Sequence, residues 1–158
     1  MFTLGHRLAS YSWGTTYFVQ ADCLGTERLR ENVAGSSAET CTNQPFGDNQ
    51  VCSGTETSPL HFTGKERDAE TNLDYFGARN FNSAMARFTI PDWAAKPTAV
   101  PYASYGNPQT LNLYSYVKND PTTTDDHDGH DSILDNTARM KGAKSQASVS
   151  QKHNVGCG

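Results

Sequence analysis

The run Asp125-Asp126-His127-Asp128-Gly129-His130-Asp131 gathers four carboxylates and two imidazoles into seven consecutive residues. Such side chains can pass protons or hold a cation. Thr124, Asp126, Asp128 and Gly129 fall at positions one, three, five and six of an EF-hand-like calcium frame, with Asp135 at twelve. The frame breaks at Thr124, where an acid is required, and at Asp131, where an apolar residue is required. Flanking helices are not evident. Asp and Gly are also ordinary turn residues, so the plainest reading is a solvated acidic turn that ends a folded unit. Upstream, Asp92 follows Pro91 at the end of a strand pattern and reads as a turn cap. Arg87 lies between Ala86 and Phe88, and reads as solvent-facing or as a structural partner of Asp92. Asp22 and His61 have no partner at catalytic spacing. Thr63-Gly64-Lys65 is not a phosphate loop, because only one glycine precedes the lysine. No residue set calls for a cofactor or a resident metal.

These side chains must be held by short strands. Tyr17-Phe18-Val19 has strand composition, and Glu27 to Val33 alternates polar and apolar residues. Turns are expected at Asp22–Thr26, Ala34–Ser37 and Pro45–Asp48. Residues 1 to 16 read as irregular, and Asn49 to Ser58 as a polar linker. Leu60 to Thr63 is a strand candidate ended by Gly64. Tyr75 to Phe81 and Met85 to Ile90 are the next two, and Pro91 ends the last because it lacks the ladder N–H. Residues 94 to 108 read as a loop, and Leu111 to Val117 as a strand or a short helical turn. Lys65-Glu66-Arg67-Asp68 is expected as a solvated charged turn. The rings of Tyr75, Phe76, Phe81, Phe88, Trp93, Tyr102, Tyr105, Tyr114 and Tyr116 are expected to pack a small β core rather than a binding platform. After Gly129 large apolar residues become sparse. A weak helix over Asp131–Lys144 in a largely disordered tail is expected, and the tail's His153 and Cys157 lack a partner set.

Phe62-Thr63-Gly64-Lys65-Glu66-Arg67-Asp68, then Leu73-Asp74-Tyr75-Phe76-Gly77-Ala78-Arg79, Arg87-Phe88, Pro91-Asp92, Leu111 to Val117, Asn119-Asp120-Pro121 and the acidic run follow one another in a characteristic order. In that order and spacing, residues 62 to 130 resemble the rearrangement-hotspot (Rhs) repeat-associated core of bacterial YD-repeat toxins. Residues 17 to 47 resemble, more loosely, the last repeat before such a core. The resemblance implies a mainly β fold: a YD-repeat hairpin plus an aromatic-rich Rhs core, with loops and a largely disordered tail. It divides the chain into an irregular N-terminus (1–16), a degenerate YD-type repeat and linker (17–58), the core (59–130) and a variable tail (131–158).

The resemblance also implies a function. In that family many repeats wind into a shell around a C-terminal effector, and the core closes one end. Many cores cut themselves from the effector by aspartic-type chemistry. Two carboxylates held close cannot both ionise, so one keeps a proton while the other activates water. Carried over residue by residue, the acids are Asp92 and Asp126, Arg87 orients an acid, and the bond cut is His130–Asp131. Four residues depart from the family pattern: in the core His127 stands for Pro, His130 for a large apolar residue and Ala86 for Gly, and in the repeat Cys23 stands where His is common. The implied partners are the remaining YD-repeat shell or a partner repeat chain that pairs with open strand edges. With about one repeat, the chain is expected to be part of a longer or split gene. The implied location is secreted or cell-surface.

Composition narrows the classes. Net charge is −4, and the 13 basic residues are scattered, which argues against a nucleic-acid surface. No apolar run approaches the ~20 residues of a membrane helix, and Met1 to Gln20 lacks the apolar stretch of a signal peptide. Hydrophobic residues make up 35% of the chain, so the core it can bury is small and concentrated in a few rings. The four cysteines, Cys23, Cys41, Cys52 and Cys157, form no CxxC pair, so zinc is not expected. Free thiols are the simpler expectation, with Cys41–Cys52 as the pair that an oxidising compartment would join.

Overall fold

The computed structural model describes residues 2–3, 6–54, 58–93, 100 and 103–130. The fold is mainly β, as expected. A short pair, β1 (Phe2–Thr3) and β2 (His6–Arg7), precedes a five-stranded antiparallel meander. Its strands are β3 (Ala9–Ser12), β4 (Thr15–Ala21), β5 (Glu27–Asn32), β6 (Ser37–Thr42) and β7 (Val51–Gly54), paired in chain order. A four-stranded sheet follows: β8 (Glu66–Arg67), β9 (Leu73–Tyr75), β10 (Asn80–Asn82) and β11 (Arg87–Phe88).

One local device makes the first two expected turns. Asp22 Oδ1 accepts the N–H groups of Leu24 and Thr26, and Asn32 Oδ1 accepts those of Ala34 and Ser36. The glycines between them, Gly25 and Gly35, take φ of +92° and +77°, which a side chain resists. The short polar side chain replaces the backbone bonds that the reversal gives up.

Several expectations fail for tertiary reasons. Residues 9–12, read as irregular, form β3, because the backbone of β4 offers them a partner (Tyr11 opposite Thr16). The polar linker contains β7, whose Cys52 lies opposite Cys41 of β6 and is joined to it by a disulfide. The expectation of free thiols is therefore corrected, and Cys23 is disulfide-bonded too. Leu60 to Thr63 is not a strand: Leu60 makes an isolated bridge to Glu66, and Phe62–Gly64 coils into a 3-10 turn. The N–H of Thr63 there donates to Thr26 Oγ1. Tyr75 to Phe81 is two strands rather than one, since the chain reverses between β9 and β10. Leu111 to Val117 is no strand either. Residues Pro108–Leu111 and Val117–Asn119 form 3-10 turns on either side of a single bridge from Ser115 to Arg87.

The core is Phe62, Phe76, Phe81, Phe88, Tyr116 and Val117, with Phe46 packed partly against it. Ring centroids lie 5.1 to 6.0 Å apart, mostly tilted or edge-to-face. Such pairs add ~0.5–1.5 kcal/mol each beyond the area they bury. The expected aromatic core is present in Phe76, Phe81, Phe88 and Tyr116. Tyr75, Trp93, Tyr105 and Tyr114 are instead exposed. Tyr102, most of the 94–108 loop and the whole 131–158 tail, with its expected helix, lie outside the described residues.

Candidate functional site

The charges cluster around an arginine that no sequence argument singled out. Arg79 sits at the end of the turn between β9 and β10. Gly77, at φ +94°, makes that turn possible, and the Ala78 N–H donates to the Asp128 carbonyl. The chain segment 126–130 thus lies directly on the 76–79 turn. Gly129 is required there: a Cβ on it would come within 3.0 Å of Arg79 N and Phe76 O, at a φ of +84°.

Arg79 is fully buried. Its Nε donates to the Gly129 carbonyl and its Nη1 to the Leu113 carbonyl at 3.0 Å. Its Nη2 stands 3.0 Å from Asp92 Oδ2 and 3.6 Å from Asp126 Oδ2. The Phe88 ring packs under the guanidinium, 3.6 Å from Cζ. Both acids are buried as well. Asp92 follows β11 and is placed by its N–H to the Leu113 carbonyl. Its Oδ1 accepts the Trp93 N–H and meets His130 Nδ1 at 2.8 Å. Asp126 Oδ1 accepts the N–H groups of Asp128 and Gly129. Trp93 stands edge-on to the His130 ring at 4.8 Å. From the other side, Lys65 Nζ donates to the His127 carbonyl at 2.6 Å. Burial lowers the Lys65 pKa, and the nearby Asp126, Asp125 and Asp128 act against that shift.

The structure therefore brings Asp92, Asp126 and His130 together. It places Arg87 elsewhere: the Arg87 guanidinium donates to Asn119 Oδ1 at 2.8 Å on the exposed side of β11. Arg79 rather than Arg87 faces both acids, and the reason is strand parity. Arg87 and Phe88 point to opposite faces, and Phe88 takes the core face. The sequence signal for Arg79 is its place at the end of the Leu73–Arg79 stretch that carries the family resemblance, just after a glycine turn. Asp131, the far side of the expected scissile bond, lies outside the described residues.

Other readings also change. In the described part of the calcium frame, Asp126 faces a buried guanidinium and Asp128 Oδ1 accepts the His130 N–H. Asp135 lies outside the described residues. Among the described residues the one grouping of metal-type ligands is Glu39 with Cys41 and Cys52, whose sulfurs are bonded to each other. Arg67, read as part of a solvated turn, makes a two-point bond to buried Asp74 at 2.8 and 2.7 Å. Burial raises the Asp74 pKa, and Arg67 opposes that shift without cancelling it. No helix among the described residues is long and apolar enough to cross a membrane.

No family model matches the chain, and no curated protein sequence does. Solved structures do. The crystal structure of TcdB2-TccC3-Cdc42 matches at 24% identity with a TM-score of 0.61, over 76% of this chain and 5% of that one. TcdB2-TccC3 without its hypervariable C-terminal region matches at the same identity and coverage, with a TM-score of 0.60. The Tc holotoxin pore of Photorhabdus luminescens, with a mutated TccC3, matches at 24% over 75% of this chain and 5% of that one, with a TM-score of 0.59. The chain thus spans a small part of much longer toxin chains and shares their fold over that part.

Proposed function

We propose that this chain is the core segment of an Rhs/YD-repeat protein. In this reading β3 to β7 continue a repeat shell, and residues 59–130 close one end of it around a C-terminal effector. Residues 131–158 then stand in the effector's place. The observation that carries the proposal is the Arg79 cluster. A buried guanidinium ties Asp92, Asp126 and the Gly129 carbonyl together, so the chain is fixed at the point where it leaves the aromatic core. The fold likeness to TcdB2-TccC3 chains supports the same reading. So does the exposed edge strand β7, which pairs on one side only among the described residues and offers its other edge to a further repeat or a partner repeat chain. A secreted or cell-surface location follows from the resemblance.

The convergence of two buried carboxylates beside His130 favours a second reading, self-cleavage between His130 and Asp131. Water would add to the His130 carbonyl, the C–N bond would break, and a new carboxylate and a new amine would form. Arg79 would hold the acids, in the role first assigned to Arg87.

Intact mass of freshly expressed protein, beside Asp126→Asn, separates the readings. A product ending at His130 that the variant lacks supports self-cleavage. A full-length, cooperatively melting protein supports the closure role alone. Rapid trypsin cleavage at Arg79, Arg87 or Lys118 of the folded protein would refute the closure reading, since those positions would not be fixed.

A further inference from the structure

Arg87, displaced from the acids, lies in a groove of about 480 Å³ formed by β10, β11 and the 112–114 loop. Asn82, Met85, Thr89, Asn112 and Tyr114 line it with Arg87 and the edge of Phe88. That volume falls in the range of small-molecule sites, ~300–1,000 Å³. The two asparagine amides and the guanidinium have one sense. Asn82 Oδ1 accepts the Met85 N–H, and Asn112 Oδ1 accepts the Tyr114 N–H. These bonds assign the amides without ambiguity, because only a carbonyl oxygen can accept from a backbone N–H. Each asparagine is therefore left with its NH2 to give. Thr89 Oγ1 donates to the Asn80 carbonyl. Arg87 gives Nη1 to Asn119 and keeps further N–H groups in a planar fork. Among the described residues, no acidic side chain lines the groove. Exposed Met85 and Tyr114 supply an apolar wall.

We infer that this groove binds an organic carboxylate: an anionic head on the Arg87 fork and the two asparagine amides, and an apolar body against Tyr114 and Met85. Two amide donors beside a cation match an acceptor-only group, and guanidinium–carboxylate pairs are among the stronger hydrogen bonds. The site is separate from the Arg79 cluster and does not depend on either reading of that cluster.

The test is titration of the ¹⁵N-labelled full chain with 4-phenylbutyrate, followed by amide and side-chain NH2 resonances. The matched probes are 4-phenylbutyramide, which lacks the charge, and inorganic sulfate, which lacks the body. The expected result is saturable shifts at the Asn82 and Asn112 NH2 groups and in β11. Binding of the amide should be at least about tenfold weaker, and Arg87→Gln should lose binding while Arg87→Lys keeps part of it. Both substitutions sit on the exposed side of β11, and the unchanged spectrum of the aromatic core verifies folding. Equal binding of acid and amide, or unchanged binding in Arg87→Gln, would overturn the assignment. Sulfate binding as tightly as the acid would overturn the organic body. Absence of any saturable shift overturns the site itself.

Discussion

Replacing Arg79 by Met should destabilise the protein far more than the same change at Arg87. Arg79 is fully buried and faces two buried carboxylates. Removing one partner of a buried ion pair costs ~3–5 kcal/mol, because the remaining charge stays in a low dielectric. The carbonyls of Gly129 and Leu113 also lose their donors, at ~1–3 kcal/mol each where water cannot reach them. These costs overlap, so a loss of at least about 3 kcal/mol is the conservative expectation. Against a usual total of ~5–15 kcal/mol, that leaves a marginal fold. With a urea slope of ~1–3 kcal/mol/M, the midpoint should fall by about 1–3 M. Arg87→Met removes one exposed bond and should shift stability by less than ~1 kcal/mol. Adding Asp92→Asn and Asp126→Asn to Arg79→Met should restore part of the loss, because no unpaired charge then remains buried. The assay is equilibrium urea unfolding of all three variants at one pH. Equal midpoints for the Arg79 and Arg87 variants would refute the buried-cluster account.

Gly129→Ala should lower stability by about 1–3 kcal/mol, through strain at positive φ and a Cβ pressed on the 76–79 turn; a melt within 1 °C of wild type would contradict that packing. Replacing Cys41 and Cys52 with Ser, which leaves the Cys23 disulfide in place, frees a short loop and should cost up to ~3 kcal/mol, read as the urea midpoint shift of the double variant against wild type. His61 has its pKa lowered by burial first and Arg67 second. The folded form thus binds a proton less readily than the unfolded chain. Its contribution to stability is complete above the unfolded value of about 6.5 and declines as pH falls from there through the lowered folded value. Subtracting His61→Gln from wild-type stability across pH 5 to 7.5 should reveal this slope, and a flat difference would remove it.

The local half of this protein is legible in consecutive residues. Asp22-Cys23-Leu24-Gly25-Thr26 contains its own turn, since the carboxylate, the glycine and the N–H groups it satisfies are all within five residues. Alternation in β4 and β5, and the aromatic supply for the core, were legible for the same reason: period and ring content are properties of consecutive residues. Asp92 and Asp126 were named through the family resemblance, but their shared partner was not. Strand β7 reads as a polar linker until β6 and a disulfide give it a ladder. Arg79 and Arg87 are both arginines beside aromatic strands. Only the tertiary fold sets one over the Phe88 ring with two acids and the other in a groove with two asparagine amides. That choice depends on which strand face meets the core and on a chain segment 50 residues away returning to the 76–79 turn. Spacing along a chain does not encode such a return. Packing decides it, because a buried guanidinium is tolerable only where the fold brings it anions and carbonyls together.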